Sequence, residues 1–189
     1  MYSKQLTLKI GLYIIIAVSM MVTRSHTSIV HLADITVPLL IIFGIYSKNL
    51  SYAHFTIISA LVIDNYMILH EGVSANCITP GYLILLASYY VIFSLSRIVS
   101  KIEINKFFYK NFSLIILLLT FQWFIATLSY YVFTKTFASS GFTGFLSYAN
   151  KWALPEILPS LIWIGIASLT FTLYQYTKRL TTTQLKSNK

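Results

Sequence analysis

Six stretches of this chain are apolar over nearly the length needed to cross a bilayer, with only short polar breaks between them: Leu8 to Thr23, Ile29 to Tyr46, Ser51 to Leu69, Thr79 to Ile98, Phe112 to Phe133 and Leu158 to Tyr176. A hydrocarbon core of about 30 Å takes roughly 20 helical residues at 1.5 Å each. None of the runs alternates with the period of a barrel strand, so helix is the conformation that satisfies the backbone in lipid. Hydrophobic residues make up 57% of the 189 and charged residues 10%, which leaves no room for a separate soluble domain. The expected fold is an all-α integral membrane protein, one six-helix domain over residues 1–189. The second run is the least regular. Its clean apolar part, Ile35 to Tyr46, is too short to span alone and follows His31 and Asp34, so it is expected to begin in a structured loop, with Pro38 in its first turn.

Basic residues divide unequally between the two sides of such a bundle. Lys4, Lys9, Lys48, Arg97, Lys101, Lys106, Lys110, Lys178, Arg179, Lys186 and Lys189 fall on one side, and Arg24, Lys135 and Lys151 on the other. The richer side is the cytoplasm, so both termini are expected there. The net charge of +9 is then a topological bias, and no basic face interleaved with aromatics is left over for nucleic acid. Lys4 and Lys9 ahead of an apolar run could suggest a signal peptide. The following "TRSHTSIV" lacks a small-x-small cleavage pattern, so the first run is kept as an uncleaved helix.

The acids and histidines lean the other way. Asp34, Asp64, Glu71 and Glu156 lie toward the outer half, as do His26, His31 and His70, while Glu103 and His54 belong to the inner side. Cys77, the one cysteine of the chain, stands among the outer groups in "HEGVSANCITPGYL". Thr79 before Pro80 reads as a helix start, which puts the thiol near the positive end of the fourth helix dipole and favours thiolate, a good soft-metal ligand. Asp64 lies about one turn inside the third helix, where a carboxylate is costly unless it has partners or faces a polar cavity. Tyr82, one turn into the fourth helix, is placed to meet Asp64 and Cys77 if the two helices form a hairpin. Against this, a lone cysteine is commonly an inert small hydrophobe, a tyrosine near a helix end is commonly a belt aromatic, and a loop histidine is commonly solvated. The intramembrane carboxylate carries the stronger signal.

Other chemistries lack their motifs. There is no G-x-x-x-x-G-K-[ST] loop for a nucleotide, no second cysteine for a disulfide or thiolate cage, and neither H-E-x-x-H nor G-x-S-x-G for hydrolysis. A small-molecule binding or translocating protein is the expectation, a transporter and not an enzyme, with an enzyme acting on lipid or quinone through acid–base chemistry of Asp64, His70 and Glu71 as a more distant alternative.

The segments "HLADITVPLLIIFGIYSKNLSYAHFTIISALVIDNYM" and "ITPGYLILLASYYVIFSLSRIV", with a short basic N-terminus and two further helices, resemble the substrate-binding S components of energy-coupling-factor (ECF) vitamin transporters. Within that group the chain is most similar to the BtuM family of solitary cobalamin transporters from Gram-negative bacteria, which carry a cobalt-ligating loop cysteine, an aspartate thirteen residues before it and a tyrosine five after it. Asp64, Cys77 and Tyr82 stand at those spacings. The resemblance implies an S-component-like six-helix bundle in the cell inner membrane, with a cobalamin site on the periplasmic side. It implies Cys77 as axial ligand to the cobalt, with Asp64 and Tyr82 supporting it and the corrinoid held base-off, with displacement of an axial group such as cyanide. A histidine after the first helix also belongs to the family picture; His26 is the choice here, with His31 as its rival.

Such a site needs one strong ligand, aromatic walls and hydrogen-bond groups for amides. Tyr66, Tyr82 and Tyr89 are candidates for walls, and Ser74, Asn65 and Asn76 for the amides, though each suits ordinary packing or solvation as well. On the first helix, Gly11, Ala17 and Ser19 do not form the four-residue spacing of small residues that S components present to an ATPase module, which favours a solitary protein over one docked on an ECF energising module. Two rival readings share the helical scaffold: an S component for riboflavin or biotin, and a structural protein of the cell envelope.

Overall fold

Each apolar run closes its own backbone hydrogen bonds: in the computed structural model every described element is a helix, and there is no strand among the described residues. The structure describes residues 2–24, 34–47, 49–73, 79–99, 107–134 and 141–187, with side-chain surroundings for 7, 9–24, 34–47, 49–73, 79–98, 112–134 and 141–170. The elements in order are α1 (Tyr2–Arg24), α2 (Thr36–Ile42), a π-helical segment (Phe43–Ser47), α3 (Leu50–His70), α4 (Pro80–Val99), α5 (Phe107–Phe133) and α6 (Gly141–Ser187). Among the described residues, four stretches are long and apolar enough to cross a membrane: Leu50–His70, Pro80–Ile98, Phe112–Phe133 and Gly141–Thr170.

The helices start and stop where local chemistry allows. Asn49 caps α3 in extended conformation, its side-chain oxygen accepting from the Ser51 amide at 3.0 Å. Gly72, at φ +69°, turns the chain out of α3 in a left-handed conformation that a side chain would strain. Pro80 is the first residue of α4, as the Thr79–Pro80 pair leads one to expect.

One expectation about length holds and another changes. The described part of the second run is a helix of seven residues followed by five π-helical ones, about 18 Å in all at the usual rise, as short as its clean apolar stretch suggests. It does not span, and it sits at the centre of the bundle, packed on α3, α4, α5 and α6. Leu40 and Ile41 are wholly buried, and the core closes around them with Ile16 and Met20 of α1, Ile57 of α3, Ile92 and Phe93 of α4, and Leu118 and Leu119 of α5. The sixth helix begins at Gly141, well before Leu158. Its added turns are held against α5 by buried Phe145 and Ala149 and by ring contacts of Phe145 with Phe124 and Tyr131. Pro155 and Pro159 stand inside it. Proline normally breaks a helix by removing a donor, but neighbouring elements of a membrane bundle can satisfy the freed carbonyls.

Close backbone approaches fix α4 at both ends. A Cβ at Gly44 would lie 2.5 Å from Ser96 Cβ and 2.8 Å from the Phe93 carbonyl, and one at Gly81 would lie 2.7 Å from the Ser129 carbonyl of α5. Away from the core the helices present apolar side chains outward, among them Ile15 and Val18 of α1, Val62 and Leu69 of α3, Leu83 of α4, Leu117 and Val132 of α5 and Leu154 of α6. A surface of that composition suits hydrocarbon.

Candidate functional site

The C-terminal ends of α1 and α3 meet the N-terminal ends of α2 and α4, and the polar residues at those ends form one hydrogen-bonded cluster. Arg24, the last residue of α1, is its centre. Its Nε donates to Asp64 Oδ1 at 2.9 Å and its Nη2 to Asp64 Oδ2 at 2.7 Å, a bidentate fork from α1 to α3. Its Nη1 donates to Asp34 Oδ2 at 2.6 Å and to Thr36 Oγ1 at 2.9 Å. The guanidinium stays charged and its planar donors match carboxylate geometry, so one side chain fixes three elements at once.

The remaining lone pairs are also used. Asp34 Oδ1 accepts from the Thr36 amide at 2.9 Å and from the Thr36 hydroxyl at 2.6 Å, which ties Asp34, the residue before the N-cap Ile35, to the first turn of α2. The Tyr82 hydroxyl donates to Asp64 Oδ2 at 2.7 Å, tying α4 to α3. Tyr89, two turns further along α4, brings its hydroxyl beside Arg24. The Arg24 side chain is 12% exposed, with Asp64 at 20% and Asp34 at 40%. The Arg24–Asp64 pair is the sheltered one, and such a pair holds only when its hydrogen bonds are nearly complete, as these are. One cation against two carboxylates leaves the cluster with one formal negative charge.

Beside the cluster lies a cavity of about 380 Å³, lined by Arg24 and Asp34 and by residues of α2, α4, α5 and α6. Tyr89 and Leu85 form part of its α4 wall, Glu156 and Ser160 part of its α6 wall, and Gln122 and Trp123 part of its α5 wall. The α5 wall is unlike the rest. Both amide atoms of Gln122 and the indole Nε1 of Trp123 are buried without a hydrogen-bond partner among the described residues. Leaving such groups unpaired costs about 1–3 kcal/mol each, so three in adjacent cavity-lining residues are a concentrated cost to the fold.

The residues singled out from sequence fare differently. Asp64 and Tyr82 are joined directly, as the hairpin of α3 and α4 requires. They reach the cavity through Arg24, which lines it, and do not line it themselves. Tyr89 lines the cavity. Tyr66 does not: it lies two residues, about 200° of helix, beyond Asp64, is 44% exposed and packs its ring on His70 at 4.7 Å. Asn65 is exposed and donates to the Leu61 carbonyl. Cys77, His26, His31, Ser74 and Asn76 lie outside the described residues. Among the described residues no three His, Asp or Glu side chains gather as a metal site.

Sequence reasoning missed the two features that organise the site. Arg24 was read only as an outer positive charge, although an arginine ending one span and an aspartate inside another are natural partners in a low-dielectric setting. Gln122 was passed over within the α5 run, although a glutamine amid 22 apolar-helix residues is itself an intramembrane polar signal. No protein-family model and no curated protein matches the chain.

Proposed function

We propose that this protein binds cobalamin at the outer end of the bundle and carries it across the cell inner membrane, with the site open to the periplasm and Cys77 as the axial ligand to cobalt. The observation that carries this reading is the 2.7 Å hydrogen bond from Tyr82 to Asp64. Those two residues flank the loop that bears Cys77 in sequence, at the spacings of the resembled family, and they are direct partners. In this reading Arg24 fixes the position of Asp64, and Asp64 in turn holds the Tyr82 hydroxyl. The thiolate of Cys77 replaces the nucleotide base or cyanide on cobalt, so the corrinoid sits base-off. The protein then acts as carrier, not enzyme, and the vitamin is cargo. One amide-bearing arm of its rim, not the whole macrocycle, matches the cavity in size and in its mix of polar walls with apolar Leu85, Leu119 and Ile157.

Optical titration tests it. Detergent-purified protein mixed with cyanocobalamin is expected to give the shifted spectrum of a base-off, thiolate-ligated corrinoid, and Cys77→Ala is expected to abolish the shift. An unshifted base-on spectrum, or a shift that survives in Cys77→Ala, overturns the assignment.

A further inference from the structure

The geometry points to a second recognition element in this molecule: the α5 wall, through Gln122 and Trp123, takes a neutral primary carboxamide. Gln122 is 3% exposed, and both Nε2 and Oε1 lack partners; Trp123 Nε1, on the next residue, lacks one too. Both residues line the same cavity, and together they carry two kinds of donor and one acceptor. A carboxamide answers all three, because the two lone pairs of its carbonyl accept from Gln122 Nε2 and Trp123 Nε1 while its NH₂ donates to Gln122 Oε1.

Other ligand chemistries fit less well. An ammonium group has no acceptor for Gln122 Nε2 or Trp123 Nε1. A carboxylate or phosphate leaves Gln122 Oε1 without a donor, and it enters a cavity whose other walls carry the Asp34 and Glu156 carboxylates. The one cation among the described lining residues, Arg24, is already committed to Asp64, Asp34 and Thr36. A hydrocarbon group satisfies none of the three atoms. A site with unpaired buried polar groups rejects ligands that lack the matching partner far more strongly than it rejects a change of apolar size.

The identity of the arm rests on the corrinoid reading above; its amide chemistry does not. The test uses cyanocobalamin beside its monocarboxylic derivatives, in each of which one peripheral amide has been hydrolysed to an acid. At least one acid is expected to bind wild-type protein about tenfold or more weakly than the parent, a loss of one hydrogen bond plus charge repulsion. In Gln122→Leu that gap is expected to close to about twofold or less, within the reach of one lost contact. If every monoacid binds wild type like the parent, or if the gap is the same in Gln122→Leu, the inference is wrong while the proposed function stands. If wild-type protein binds no corrinoid, the proposed function fails, and thermal stabilisation by nicotinamide against nicotinic acid decides the amide site alone. Stabilisation by the amide only, lost in Gln122→Leu, supports it; no preference between the two overturns it.

Discussion

The polar cluster around Arg24 and the α5 wall of the cavity lie in one molecule, yet they handle buried polarity in opposite ways. In the cluster, Arg24, Asp34, Thr36, Asp64 and Tyr82 exchange hydrogen bonds until their capacity is nearly used, and four helices are joined as a result. On the wall, Gln122 and Trp123 hold three buried polar atoms with no partner among the described residues. The first arrangement stabilises the apo protein. The second weakens it, and makes sense as capacity held for something that enters the cavity. Burial alone therefore says little about whether a polar residue belongs to the scaffold or to recognition; the state of its hydrogen bonds separates the two.

That contrast breaks if the wrong region proves to be the stabilising one. The largest effect is expected for Arg24→Leu, which leaves Asp34 and Asp64 facing one another without a counterion. A loss of about 3–5 kcal/mol is expected from removing one partner of a sheltered ion pair, read as a lower midpoint in thermal or denaturant unfolding of detergent-solubilised protein. Unchanged unfolding would mean that the fork from α1 to α3 contributes nothing to the fold. Tyr82→Phe is next. It removes one hydrogen bond to a charged acceptor that keeps its Arg24 partners, so about 1–2 kcal/mol is expected in the same assay. A larger loss than that of Arg24→Leu would move the centre of the cluster from α1 to α4. The smallest effect, and the one of opposite sign, belongs to Gln122→Leu without ligand. Replacing an unpaired amide by a hydrocarbon of similar size is expected to leave stability unchanged or raise it by about 1 kcal/mol. A marked loss would show that Gln122 has partners in the apo protein, and the distinction between wall and cluster would collapse.

How much of this was readable beforehand varies with the range of the interaction. The helical character came from composition and run length, which are local and need no tertiary knowledge. Asp64 was legible because a carboxylate in an apolar run conflicts with its setting, and Tyr82 because a short loop forces α3 and α4 into a hairpin. The Arg24 fork was not, since it joins residues forty positions apart and nothing local distinguishes Arg24 from any other charge at a span end. The start of α6 lies well before the apolar run from Leu158 because Phe145 and Ala149 pack on α5 and the helix continues through Pro155 and Pro159, a tertiary contact that run length does not show. Gln122 was visible as a residue but not as a problem. Whether a buried amide is paired depends on the positions of every neighbour, which a sequence does not display.

Gly44 and Gly81 carry a consequence of another kind. Because Ser96 Cβ and the Phe93 carbonyl crowd the first and the Ser129 carbonyl the second, neither site has room for even a methyl group, and in both cases backbone, which cannot rotate aside, is part of the obstruction. Gly11, by contrast, has open space around it. A saturation library scored for folded membrane protein should thus return glycine almost alone at 44 and 81 but a broad mixture at 11, so the two tight contacts would act as the narrowest gates on how this chain can drift.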